Sequence, residues 1–142
     1  MLKILLTAPH GGCNVSSTVH LKNKMIYIII PVHNRIDKTM RCLGSIYSQN
    51  YENISVVMVD DGSSDSTAEK VSNLYPKTII LSGKGDLFWT GAVSFGINHV
   101  LTICREGDWI LLVNNDVQLK NNTIEKLVTF AISRKRKVLV SA

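Results

Sequence analysis

Ile54-Ser55-Val56-Val57-Met58-Val59-Asp60-Asp61-Gly62-Ser63-Ser64-Asp65-Ser66-Thr67 changes character halfway along. The first half is apolar and β-branched, so Ile54–Val59 is expected to be a buried strand. Two carboxylates follow, then a turn at Gly62–Asp65 made of residues that bend the chain. Ser66 and Glu69 stand at the spacing of a capping box, which predicts a helix running to about Tyr75 and stopped by Pro76.

The same rhythm extends both ways. Upstream, Ile26–Ile30 reads as a strand, followed by a helix from about Asp37 to Gln49 with Met40, Leu43 and Tyr47 at helical spacing. Downstream come a strand at Thr78–Leu81, a glycine-rich stretch at Gly83–Gly91, and a helix near Ala92–Cys104. Val93, Ile97, Val100, Leu101 and Cys104 are expected on one face of that helix. Trp109–Val113 is the next strand. Asn122–Arg134 is a helix with Ile124, Leu127, Val128 and Ala131 in phase, and a further strand begins at Val138–Val140. Strands alternating with helices predict parallel pairing through right-handed crossovers, hence an α/β, doubly wound, mostly parallel sheet. Ligands bind such sheets beyond the carboxyl ends of the strands. The polar residues gather at those ends: Pro31-Val32-His33-Asn34-Arg35, Asp60 to Asp65, and Asn114-Asn115-Asp116. These three strand ends are expected to converge on one crevice.

Composition narrows the class. The 142 residues suit one domain, and 45% apolar with 19% charged residues is ordinary for a globular chain. No segment approaches the roughly 18 apolar residues of a membrane helix. The net charge of +5 is scattered, without the basic-aromatic interleaving of a nucleic-acid binder, so no nucleic-acid partner is expected. Arg134-Lys135-Arg136-Lys137 is either a solvated helix end or a patch for anionic lipid headgroups, which would give peripheral membrane association. Cys13, Cys42 and Cys104 lack metal spacing and read as reduced thiols of a cytoplasmic protein, Cys42 and Cys104 as packing residues. Residues 1–24 differ from the rest. Their apolar stretch is too short for a signal peptide. They are either an extension ahead of a true start at Met25 or carry an extra edge strand at Lys3–Thr7. An exposed sheet edge near residue 142 predicts homo-oligomerisation or poor solubility.

The polar strand ends leave more than one kind of chemistry open. Asp60-Asp61 at a strand end can hydrogen-bond a ligand, bind a cation, or cap the turn. A diphosphate needs a divalent cation or fixed positive groups. Mg or Mn takes oxygen ligands, often few from the protein, and Asn114 with Asp116 offers two. On extended backbone their side chains would point the same way. No G-x-x-x-x-G-K-[ST], G-x-G-x-x-G or G-x-S-x-G is present, which argues against P-loop nucleotidases, dinucleotide oxidoreductases and serine hydrolases. A receiver-type phosphoacceptor fits poorly, because its acid pair would end the first strand. His33 is either satisfied by nearby backbone or a ligand contact, stacking on a base.

Three segments together resemble family 2 glycosyltransferases: Ile28-Ile29-Ile30-Pro31-Val32-His33-Asn34-Arg35, the Ser55–Thr67 run, and Leu111-Leu112-Val113-Asn114-Asn115-Asp116-Val117. Gln49 fits that family's usual Ser-Gln ending of the first helix. The resemblance implies a GT-A fold with a Rossmann-like nucleotide-binding half over residues 25–142. It implies inverting transfer from a nucleotide-diphosphate sugar to an acceptor hydroxyl of a saccharide or lipid-linked acceptor, in cell-surface polysaccharide or glycolipid synthesis at the inner face of the membrane. It would place Pro31, Val32, His33 and Arg35 around the nucleoside, with Asp60 and especially Asp61 on the nucleoside. Asn114 and Asn115 would border the donor, and Asp116, helped by Asn114, would hold Mg or Mn. Gly83–Gly91 resembles the donor loop of rhamnosyltransferase-like members, with Trp89, Gly91 and Gly96 retained and Ala92 and Ser94 in place of Gly and Asn. Lys84 or Asp86 would meet the diphosphate or sugar. Trp89 reads equally as a core residue. Asn114 replaces the first Asp of the D-x-D pattern, which removes one charge from the cation site. Members continue into an acceptor half carrying the general base, and Glu125, on a helix among Lys and Leu, is expected to face solvent instead. The alternative function is a nucleotide-sugar-binding module without transfer activity.

Overall fold

The computed structural model describes residues 2–5, 24–133 and 140–141. The expectations for Cys13, for Arg134–Lys137 and for residues 138–139 lie outside them. In chain order the elements are β1 (Leu2–Leu5), β2 (Ile26–Val32), α1 (Ile36–Tyr47), β3 (Ile54–Asp60), α2 (Thr67–Leu74), β4 (Ile79–Ser82), α3 (Phe88–Ile103), β5 (Trp109–Val113), α4 (Thr123–Ser133) and β6 (Val140–Ser141). They form one sheet in the order β4-β3-β2-β5-β1-β6. The pairs β4/β3, β3/β2 and β2/β5 are parallel.

Alternation along the strands decides which helix covers which face. Ile26, Ile28, Ile30 and Val32 of β2, with Val56 and Met58 of β3, face α1, α2 and α4 through Leu43, Ile46, Val71, Ile124 and Val128. Tyr27, Ile29, Val57 and Val59 face α3 through Ala92, Val93 and Val100. The chain therefore steps from β2 to β3 to β4 along one face, then returns over the other through α3 to reach β5 on the far side of β2. That reversal makes the gap between β2 and β5 the topological switch point, where a ligand cleft is expected. The return path runs close to the sheet. A β-carbon on Gly96 would lie 2.6 Å from Ile29 Cγ2 and 3.1 Å from Val59 Cγ2, so only glycine lets α3 seat at this depth.

Four expectations change. The apolar N-terminal segment is a strand, but over Leu2–Leu5 and not at an edge: it pairs antiparallel with both β5 and β6. The Ser66–Glu69 capping box does not form. Ser66 is left-handed (φ 59°) and makes no side-chain cap. Asp65 serves instead, its Oδ1 accepting from Thr67 N at 3.2 Å and Thr67 Oγ1 at 2.5 Å. Helix α3 begins at Phe88, ahead of Ala92, because a remote carboxylate described below takes its first amides. Leu101, expected on the buried face, is 54% exposed. Glu125 faces solvent as expected, and Cys42 is fully buried.

Candidate functional site

A cleft of about 360 Å³ opens at the switch point. Pro31, Val32 and His33 from the end of β2 form one wall, with Arg35 just beyond. Asp61 and Gly85 form the floor towards β3 and β4, Phe88, Trp89 and Ala92 of α3 a second wall, and Asn115 the β5 side. All three strand ends singled out from the sequence thus contribute.

The β2 wall is held by the turn after β3. Asn34 N donates to Ser63 Oγ at 2.7 Å, Asn34 Oδ1 accepts from Ser64 N at 2.9 Å, and Ile36 N donates to Asp65 Oδ2 at 3.0 Å. These bonds sustain two consecutive left-handed residues, Asn34 and Arg35 (φ 59° and 64°), a conformation that non-glycine residues adopt at a cost. Asp65 thereby steadies the first turns of both α1 and α2. The Thr67 hydroxyl hydrogen bond, aided by the amides of Ile36 and Thr67, holds its carboxyl below the ordinary value of 3.8.

Asp60 is 6% exposed and turns inward, accepting from Ser63 N at 3.1 Å. Asp61 is 5% exposed. Its Oδ1 accepts from Gly85 N at 2.7 Å, and its Oδ2 accepts from Leu87 N at 2.9 Å and Phe88 N at 3.1 Å. Its main-chain oxygen accepts a hydrogen bond from His33 Nδ1 at 2.5 Å. A carbonyl can only accept, so Nδ1 carries the proton and, in neutral imidazole, Nε2 is left as an acceptor.

On the β5 side, Asn114-Asn115-Asp116 is a turn closed by Val117 N to Asn114 O at 3.1 Å, not extended backbone. The shared direction expected for Asn114 and Asp116 is replaced by separate partners. Asn114 Oδ1 accepts the indole N–H of Trp89 at 3.0 Å, while Asp116 Oδ2 lies 3.9 Å from Arg35 Nη1. Asn115 is buried and donates to Thr39 Oγ1 at 3.2 Å. Below them Cys42 Sγ meets Asn114 O at 3.6 Å, and burial, with Asp116 adding, pushes this thiol up to about 12. Trp89 is 45% exposed, so it is a cleft residue and not a core residue.

Pro31, Val32, His33, Arg35, Asp61, Trp89 and Asn115 therefore meet in the cleft. Asp60, Lys84, Asp86, Gly91, Asn114 and Asp116 are not among its lining residues; Lys84 and Asp86 project from the exposed loop before α3. Gly85, Phe88 and Ala92 also line it, although the sequence assigns them no contact. Gly85 and Phe88 fall inside the glycine-rich stretch, which was the available signal. Among the described residues no three His, Cys, Asp or Glu side chains cluster as a cage. The exposed Asp116 carboxylate, with Asn114 already engaged, fits a cation of the Mg or Mn type that takes most of its oxygens from a phosphate.

The profile of Glycosyl transferase family 2 matches residues 27–142, and the chain belongs to that family. An uncharacterized glycosyltransferase of Haemophilus influenzae is 28% identical over 109 residues, covering 75% of this chain and 32% of the relative. Glycosyltransferase GlyG of Streptococcus pneumoniae is 27% identical over 110 residues, 74% of this chain and 34% of the relative. The fold is that of GT-A glycosyltransferases. The mannosyltransferase PcManGT of Pyrobaculum calidifontis, solved with GDP-Man and Mn2+, superposes with a TM-score of 0.65 at 18% identity, over 78% of this chain and 33% of its own. S. aureus TarS 1–349 with UDP-GlcNAc gives 0.64 at 20% identity, over 77% and 31%. The chain spans about a third of the length of these proteins.

Proposed function

We propose that residues 25–142 are the donor-binding part of an inverting glycosyltransferase, with residues 1–24 an extension to it. The enzyme moves a sugar from a nucleotide-diphosphate sugar to an acceptor hydroxyl of a saccharide or lipid-linked acceptor. The setting proposed is cell-surface polysaccharide or glycolipid synthesis in the cytoplasm, at the inner face of the membrane. No helix among the described residues is long and apolar enough to cross a membrane. The observation that carries the reading is the cleft at the β2/β5 switch point, roofed by Trp89 and walled by Pro31, Val32 and His33.

In this reading the nucleoside lies along Pro31 and Val32 with the His33 ring against the base. Arg35, 61% exposed at the rim, supplies fixed positive charge to the diphosphate. Asp116 is the protein ligand for Mg or Mn, and the bound ion would neutralise the diphosphate as it departs. Lys84 and Asp86, on the exposed loop before α3, would meet the diphosphate or sugar.

A second reading, a donor-binding module without transfer of its own, is favoured by one observation. The carboxylate lining the cleft, Asp61, already accepts hydrogen bonds from three backbone amides of the loop before α3.

Calorimetric titration of UDP, dTDP and GDP, with and without manganese, tests the donor site. Manganese-dependent binding that weakens by roughly tenfold or more in Asp116→Ala is expected, the loss of a charged ligand being worth at least about 1.4 kcal/mol. No binding of any nucleotide would overturn the donor reading. Sugar transfer above the rate of donor hydrolysis would exclude the binding-only alternative.

A further inference from the structure

Among the described residues a single ion pair forms, and it lies at the candidate cation ligand. Arg35 Nη1 stands 3.9 Å from Asp116 Oδ2, the two residues following different strands, β2 and β5. Their backbones are tied together beneath them. Thr39 Oγ1, fully buried in α1, donates to Arg35 O at 3.2 Å and accepts from Asn115 Nδ2 at 3.2 Å. Arg35 is held in the left-handed region (φ 64°), its carbonyl also accepting the amides of Lys38 and Thr39, each at 3.0 Å. One buried hydroxyl thus sets the root of the Arg35 side chain against the turn that carries Asp116. The contact above it is open to water, with the side chains 61% and 43% exposed. An ion pair so exposed contributes little to stability. It is easily broken, and it is placed where a stronger partner would break it. A guanidinium and a divalent cation at one carboxylate repel each other, and the ion carries twice the charge.

We propose that Arg35 is a stand-in for the cation: in the empty cleft its guanidinium neutralises Asp116, and a divalent cation that takes this carboxylate displaces the guanidinium into the cleft, free for phosphate. Arg35 already lines that cleft. The displacement rests on the reading of Asp116 as a cation ligand, and the phosphate half rests on the donor-site reading. Without Arg35, a diphosphate arriving ahead of its cation would meet an unpaired carboxylate, a like charge. Arg35 should therefore oppose the bare cation and favour the bare nucleotide, two effects of opposite sign from one side chain.

The test uses the full chain. Manganese binding without nucleotide is measured at low ionic strength from the electron paramagnetic resonance of the free ion. Arg35→Gln removes the charge at an exposed position and should tighten manganese binding by about two- to fivefold, the scale of an exposed pair. The gain should fade above about 0.15 M salt. Lys38→Gln removes the same charge from an exposed side chain of α1 that makes no ion pair, and should leave manganese affinity as it is. In nucleotide-free 1H–15N spectra the Arg35 Nε–H signal, identified by its absence in Arg35→Gln, should move with added magnesium in step with the amide of Val117. UDP without cation should bind Arg35→Gln about two- to fivefold more weakly than the wild type. Equal manganese affinities of Arg35→Gln and wild type would overturn the proposal. So would equal tightening by Lys38→Gln, which would mark a general field and not a contact, or an unmoved Arg35 signal while Val117 shifts. No manganese binding by any variant, with or without UDP, would overturn the cation reading of Asp116 and the displacement with it. Tightening in Arg35→Gln without any UDP binding would support the displacement and count against the donor reading alone.

Discussion

Replacing Gln49 should destabilise the fold far more than a polar residue just past a helix end normally does. Gln49 is 9% exposed, and Nε2 donates to Ser45 O and Lys120 O, each at 3.0 Å. Oε1 accepts from Ile124 N at 3.2 Å, an amide in the first turn of α4 that has no intrahelical acceptor. In Gln49→Ala the two carbonyls keep other donors, Ser48 Oγ on Ser45 and Thr123 N on Lys120. Their loss is worth about 0.5 kcal/mol each. The buried Ile124 amide loses its acceptor, at about 1–3 kcal/mol. The expected total is about 3 kcal/mol, or a Tm lowered by roughly 10 °C for a domain of this size. Urea unfolding followed by far-UV circular dichroism measures it. Gln49→Glu sharpens the test. It keeps the acceptor for Ile124 but aims a carboxylate at two carbonyl oxygens, so it should also be destabilised at neutral pH and recover partly on acidification. A loss under about 0.5 kcal/mol in Gln49→Ala, the range of ordinary surface changes, would refute the reasoning. So would wild-type stability of Gln49→Glu at neutral pH.

Gly96→Val places a branched side chain where even a β-carbon would lie 2.6 Å from Ile29 Cγ2, and overpacking should cost about 2–3 kcal/mol in the same unfolding assay despite valine's better helix propensity. Asp65 has a folded-state pKa held below its ordinary 3.8, chiefly by the Thr67 hydroxyl. Its contribution is therefore complete above about pH 4 and fades as pH falls through the folded value. Asp65→Asn should lower stability at pH 6 by about 1 kcal/mol, the scale of a lost cap, and its stability should fall less steeply than that of the wild type between pH 4 and 2.

The strands of the parallel core were legible because their signal is local. Ile26–Ile30, Ile54–Val59 and Trp109–Val113 are apolar runs broken by turn residues, and the structure places β2, β3 and β5 there. The cleft followed from topology, since strand ends in a doubly wound sheet must share one side. What the sequence did not reveal depends on distant partners. Asp61 finds its amides 24 to 27 positions away, and Trp89 meets Asn114 across 25. Nothing in a four-residue strand says that Leu2–Leu5 will lie between β5 and β6. Ser66 matched a capping pattern, but Asp65, one residue earlier, already held Thr67 and Ile36. In the sequence Gln49 stands out by resemblance alone; its function as a stitch between α1 and α4 depends on both helices being in place.

The sheet order also sets a clock. On a ribosome β2 is the first strand of the parallel core to emerge, and it acquires β3 on one flank once α1 and β3 have been made. Its other flank waits for β5, whose last residue, Val113, is 81 positions after Val32. At about 5–20 residues per second, that flank of Ile26–Val32 stays unpaired for roughly 4–16 s during synthesis. This buried central strand of the nascent chain is thus open to wrong partners for longer than a small domain commonly needs to fold. Slower translation between β3 and β5 lengthens that interval, whereas slower translation after β5 does not.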